Sequence, residues 1–289
     1  MKRLFVILGL LGINLFLAPE VSSQNFIDDE TNATVDALHN GYPIGDKQPI
    51  PLPTIRENDV MWKKTIWREI DFRQKMNQGF YYPETPHQDW KNLFTILKDA
   101  LSDPSTGVVA YKDEQTGELL NPITWSEIQK NIKETQTINV YDENGDIKGE
   151  KTVESEMSSS DVMRCQIKEV WYFDKQRSQL LVKLMAICPV RMVPQSDGSM
   201  LPERLFWVPY DDNLRKVLVN TPFYNRNNAA MQLSYDDVFV KRVFDSYIIR
   251  EDNMYDRNVN TYATGVDALN ESERIKQSII DYEQFLWEY

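Results

Sequence analysis

The sequence predicts an α+β fold in which antiparallel hairpins and several short to medium helices pack in one main domain. Three observations carry this. Apolar runs of strand length flank short turn sequences, most clearly at Arg164–Asp174 and Gln179–Cys188 on either side of Lys175-Gln176-Arg177-Ser178. Other stretches repeat apolar residues at steps of three and four, the helical spacing. The composition, 42% hydrophobic and 11% aromatic over 289 residues, supplies a sizeable core. The expected division is a leader at 1–23, an extended, largely disordered arm at 24–58 and a globular domain at 59–289. The formal charge of -12 argues against a nucleic-acid partner, whose phosphates are bound through cationic side chains, and against an anionic membrane surface.

Met1-Lys2-Arg3, the apolar run Leu4–Ala18 and the small residues Val21-Ser22-Ser23 form a secretory signal peptide, with cleavage expected before Gln24. A retained anchor is the alternative. The run is short for a span, which needs about 20 apolar residues, and Pro19-Glu20 ends it. No cysteine follows for lipidation and no second span appears, so the mature chain is expected to be a soluble bacterial exported protein without a direct membrane span. Residues 24–58 are polar and then punctuated by Pro43, Pro49, Pro51 and Pro53. That composition buries too little apolar surface to offset its ordering entropy. It reads as an arm draped on a neighbour or as a passive linker.

Asp59–Asn77 has no Gly or Pro, and Trp62, Ile66 and Ile70 lie four apart, which predicts an amphipathic helix. It is basic in an acidic protein. Trp62, Lys63, Lys64, Trp67 and Arg68 are therefore the candidate partner-binding residues, the plainer reading being a core helix with a solvated side. A second helix is expected after Asp89, on Trp90, Leu93, Phe94, Leu97 and Leu101, ending at Asp103-Pro104. A small hairpin should turn at Asp113–Glu118, and Thr124-Trp125-Ser126-Glu127 fits a capping box opening a helix to Lys133. Asn144-Gly145 suits a hairpin turn better than a calcium loop, since Ile147 stands where an EF-hand requires glycine. Glu150–Asp161 reads as a flexible connection.

Closing the central hairpin on 175–178 makes paired residue numbers sum to 353, so Trp171 faces Val182, Phe173 faces Leu180 and Cys165 faces Cys188. A cross-strand disulfide between Cys165 and Cys188 and a pair of buried free thiols both fit. Further on, Leu205–Tyr210 reads as a strand and Asp211–Asn220 as a short helix. A helix from Tyr235 to Asp245, an irregular stretch 247–265 and a final helix capped at Asn270-Glu271-Ser272-Glu273 complete the chain. The last helix must dock on its own domain or on a partner.

Chemistry is sparse. His39 and His87 are the only histidines, so a zinc site or histidine-based triad has almost no material, and no nucleotide-binding or hydrolase fingerprint appears. No metal, cofactor or catalytic residue is assigned. A scaffold or binding role leads, and a secreted or periplasmic carboxylate-dependent hydrolase is the alternative, since two carboxylates suffice for that chemistry.

The runs DVMWKKTIWREIDFRQKMN, IKEVWYFDKQRSQLLVKLMAICPV and FWVPYDDNLRKVLVN, with the ending from DVFVKRVFDSYIIRE to DYEQFLWEY, resemble the gliding-motility family GldN, called PorN in non-gliding relatives. The likeness covers nearly the whole mature chain. It implies a non-catalytic periplasmic subunit of the type IX secretion system of Bacteroidetes. Such a subunit assembles with the lipoprotein GldK into a ring at the inner side of the outer membrane and contacts the periplasmic part of GldM.

Overall fold

In the computed structural model, which describes residues 48–87, 89–113, 118–141, 147–195, 198, 200–224, 233–255 and 257–287, the stretch expected to be the opening helix is a strand. β1 (Val60–Asp71) runs for 12 residues between two other strands. The reason lies in the spacing itself: a step of four is also an even step, so Trp62, Ile66 and Ile70 share a face of a strand as well as of a helix. Val60, Thr65, Ile66, Ile70 and the two tryptophans are strand formers, and flanking strands decide the matter. The described residues all belong to one compact unit, 44–289.

After β1 come α1 (Gln78–Tyr81) and α2 (Leu93–Ser102). The cap of α2 is Asn92, whose side chain accepts from Thr95 N at 2.8 Å, and not Asp89 as expected. Asp103-Pro104 ends α2 as the sequence predicts. β2 (Ala110–Tyr111) pairs with β3 (Pro122–Ile123), giving the expected small hairpin, and α3 (Trp125–Ile132) follows. Its capping box is half made: Thr124 N donates to Glu127 Oε2 at 2.9 Å.

β4 (Lys133–Tyr141) and β5 (Ile147–Glu156) then form a long antiparallel ribbon. Its connection at 142–146, with Asn144-Gly145, lies outside the described residues, and the flexible connection expected from Glu150 is corrected to strand.

β6 (Val162–Asp174) and β7 (Gln179–Pro194) are the central hairpin, joined at the turn the sequence marks. β8 (Met200–Arg204) and β9 (Val208–Pro209) both pair with β7. α4 (Asp212–Val219), capped by Asp211, is the expected short helix. β10 (Pro222–Phe223) and β11 (Leu233–Ser234) form a small bridge, and α5 (Tyr235–Val240) follows on a Ser234–Asp237 capping box. α5 stops well before Asp245, and Arg242 adopts a positive φ of 55°. β12 (Tyr247–Glu251) is an edge strand inside the stretch expected to be irregular, and α6 (Val266–Trp287) begins before its expected cap.

The main sheet runs β12-β1-β6-β7-β8, antiparallel throughout, with β9 added on β7. The helices gather on one of its faces. Ile70, Cys165, Ile167 and Ile187 meet α2, α4 and α5 there in the largest core cluster. Within it Phe80 contacts Phe72, Phe223, Tyr235 and Phe239, and Gly79 leaves the room that the Phe223 ring occupies: a Cβ would lie 2.4 Å from it. Farther along the same face, Ile66 and Ile248 pack with Ile275 and Ile279 of α6, so the last helix docks on its own sheet. Ser272, expected at the cap, is buried mid-helix and accepts from Ile248 N at 2.7 Å. The opposite face holds Trp67, Ala186, Cys188, Trp207 and Ile249.

Candidate functional site

Because β1 is a central strand, its charged residues alternate between two packed faces, and each must find a partner. Trp62, at a ring distance of 5.0 Å from Tyr282, lies under α6. Lys64 pairs with Glu251 at 2.6 Å. Arg68 is buried, donating from Nε to Ser246 Oγ and from Nη2 to the Ser246 carbonyl, both at 2.8 Å. Burial holds its pKa below the usual guanidinium value, against the opposing charge of Glu169. Trp67 is buried on the other face with the Arg250 guanidinium 4.3 Å and the Lys168 ammonium 5.4 Å from its ring. Of the five residues expected to meet a partner, only Lys63 is exposed. The other four hold the domain together, and alternation across two buried faces is the signal that a helical reading missed.

Two buried ionic groups flank this strand. On the helix-bearing face Glu169 is fully buried; Arg242 grips it with Nη1 at 2.6 Å and Nη2 at 3.2 Å, and Trp171 Nε1 donates at 3.1 Å. This charged seam separates the main core from the α6 core. On the opposite face Glu69 accepts from Arg164 Nη1 and Gln166 Nε2, both at 2.9 Å, and from the Tyr247 hydroxyl. Burial and the Glu69 charge push the Tyr247 phenol up. Two positions along, Asp71 is gripped by Arg73. Burial raises the Asp71 pKa, but the hydrogen bonds and charge of Arg73, with help from Arg164, outweigh it and leave the carboxyl below its usual range. Glu69 and Asp71 are thus both held by arginine, through Arg164 and Arg73.

A third ionic group lies in the helical body. Arg215 donates to both carboxylate oxygens of Asp236, at 2.9 and 3.0 Å, and both residues are buried. The Tyr210 hydroxyl donates to the same carboxylate, and Arg215 Nη2 also reaches the carbonyl of Ile50 at 2.8 Å. Part of the segment read as an arm is thereby tied to the body.

The cysteines do not face each other. Pairs sum to 353 from Asp174↔Gln179 to Glu169↔Leu184, as expected, but then Lys168 pairs with Ala186. Met185 is the extra residue, and its carbonyl accepts from Tyr210 N at 2.8 Å where β9 joins. Beyond this bulge Cys165 pairs with Pro189 and Cys188 with Gln166, which puts the thiols on opposite faces. Both are free and buried, and burial pushes both thiol pKa values well up.

Among the described residues no group of three or more His, Cys, Asp or Glu side chains is placed to hold a metal, and no helix is long and apolar enough to cross a membrane. Against known families, the sequence model described as "Gliding motility associated protein GldN" matches residues 55–288. The chain belongs to the GldN family. It is therefore a gliding-motility-associated protein, and the match spans every element from β1 to α6. No curated protein matches the chain. The GldN match begins just ahead of β1 and so includes the strand whose helical reading fails.

Proposed function

We propose that this GldN-family chain is a non-catalytic, periplasmic structural subunit of the type IX secretion and gliding machinery. In this reading it self-associates in a ring with a GldK-like lipoprotein and contacts a GldM-like periplasmic domain, taking no cofactor. The observation that carries the reading is the family match over residues 55–288. Support comes from the ionic groups: Glu69, Asp71, Glu169 and Asp236 are each bound by arginine, an arrangement suited to holding a shape rather than to proton transfer. The leader at 1–23 supports export.

Native-membrane extraction tests it. The protein should migrate with a GldK-like lipoprotein in an assembly many times the mass of one chain, and migration as a free single chain would refute the scaffold reading. The arm's share is tested by deleting residues 24–47, which spares the Arg215–Ile50 contact; undiminished co-purification would remove the arm from the interface.

A further inference from the structure

Among the described residues α6 is the longest helix and the most lightly held. Of its 22 residues Ser272, Ile275 and Ile279 are buried, whereas α2 buries five of ten and α4 four of eight. Val266 and Leu269 at its start and Phe285 and Trp287 at its end are exposed. Its ion pairs, Arg274–Glu271 and Lys276–Glu273, run along the helix itself. It meets the sheet through the small core that Ile275 and Ile279 form with Ile66, Ile248 and Val259, and through the Tyr282 ring against Trp62. A polar link joins these: Ile248 N donates to Ser272 Oγ at 2.7 Å.

That link also closes an edge. β12 is the last strand of the main sheet, with Ile248 opposite Arg68 of β1 on its inner side, so the N–H given to Ser272 belongs to its outer side. An outward N–H on an edge strand is a template for pairing with another strand, and the serine hydroxyl occupies it. The core beneath α6 is set apart from the main core by the buried Glu169–Arg242 pair, so apolar packing does not run unbroken from one to the other. A contiguous region with few buried apolar contacts opens at a lower free energy than the rest of the fold.

We propose that α6 is a latch: it lifts from the sheet as one unit while β1, β6 and β7 stay folded, and in lifting it uncovers the outer edge of β12. Once lifted, α6 has lost the burial of Ile275 and Ile279. A single helix is marginal in water, so its own backbone amides open as well. The Ile248 N–H loses Ser272 in the same event, which ties the exposure of the edge to the release of the helix.

Amide hydrogen exchange, followed by NMR on residues 24–289 through a series of low urea concentrations, tests the latch. The amides of α6 and of Ile248 should exchange on the order of 10²-fold faster than those of β6 and β7, with a smaller urea dependence because the opening exposes less surface. Ile187→Ala, in the main core, separates a latch from global unfolding. It should speed exchange in β6 and β7 by ~30-fold or more and leave the α6 rates unchanged, because Ile187 keeps its neighbours when α6 alone lifts. Ser272→Ala leaves the Ile248 N–H without its acceptor and should speed the α6 amides by about 10-fold. Equal rates in α6 and the central hairpin, or α6 amides that speed up together with β6 and β7 in Ile187→Ala, would overturn the latch. An α6 rate unmoved by Ser272→Ala would overturn the serine as its fastening. Should Ile187→Ala fail to fold, the wild-type urea slopes decide: equal slopes in α6 and the hairpin refute the latch, and a smaller slope in α6 supports it.

Discussion

The chain contains two long antiparallel ribbons, and they have opposite fates. β6/β7 is enclosed: β1 lies on one side, β8 and β9 on the other, and Ile167, Ile187 and Glu169 are fully buried. β4/β5 pairs only with itself among the described residues. Both are antiparallel pairs of consecutive strands, so backbone pairing alone does not separate them. What differs is the side-chain supply. β6 and β7 bring apolar residues to both faces, and buried charge on them is paired: Arg164 with Glu69 of β1, Glu169 with Arg242 after α5 and Asp174 with Arg177 in the turn. β4 and β5 read as Lys, Glu, Thr and Gln interspersed with single apolar residues. A ribbon of the first kind makes the fold, and one of the second is available to be made use of.

That contrast can be broken or sharpened experimentally. The largest expected effect is on the thiols inside the enclosed ribbon: Cys165 and Cys188 should react with a thiol reagent on the order of 10³-fold or more slowly in the native protein than after unfolding, since access requires opening of the core. Denatured, unreduced protein should yield two thiols, and a count of none would mean a disulfide has formed and the bulged register is wrong. Next, Glu169→Ala strands Arg242 beside a buried face and should cost about 3 to 5 kcal/mol in urea unfolding. Ile187→Ala, which leaves a cavity in the main core, should cost about 2 to 4 kcal/mol.

A smaller effect is expected with pH. The Asp71 carboxyl is lowered from 3.8 in the folded state, so its contribution is fully present above that value and is lost as pH falls through the folded pKa. Stability of the wild type should decline below about pH 4, and Asp71→Asn should flatten that decline in a pH series of thermal melts. The smallest effect should follow excision of 133–156. If β4/β5 is dispensable to the fold, the unfolding free energy should change by less than about 1 kcal/mol; a larger loss would show that the two ribbons are not as different as their pairing suggests.

Much of this architecture was legible in the residues. Asp211 before DNLRKVLV, Asp103-Pro104 after α2 and the turn at 175–178 are local signals, and each acts within a few residues of itself. The candidate partner-binding residues were not legible in the same way. Trp62, Lys64, Trp67 and Arg68 were singled out for their types, and those types are what a central strand uses when α6, Glu251, Arg250 and Ser246 come from far along the chain to meet it.

The sequence by itself determined the α+β class, the central hairpin turn, the cap at Asp211 and the membership of the GldN family, because those depend on backbone preferences and on patterns carried by the residues themselves. Only the tertiary structure decided that Val60–Asp71 is strand, that Met185 bulges and parts the two cysteines, and that Glu169 sits between two cores. A four-residue spacing satisfies both a helix and a strand, and a register extends only until another strand demands a residue out of turn. Such choices are settled by partners from elsewhere in the chain, β6 and β12 for β1, Tyr210 for Met185 and Arg242 for Glu169, whose hydrogen bonds and buried charges no local pattern contains.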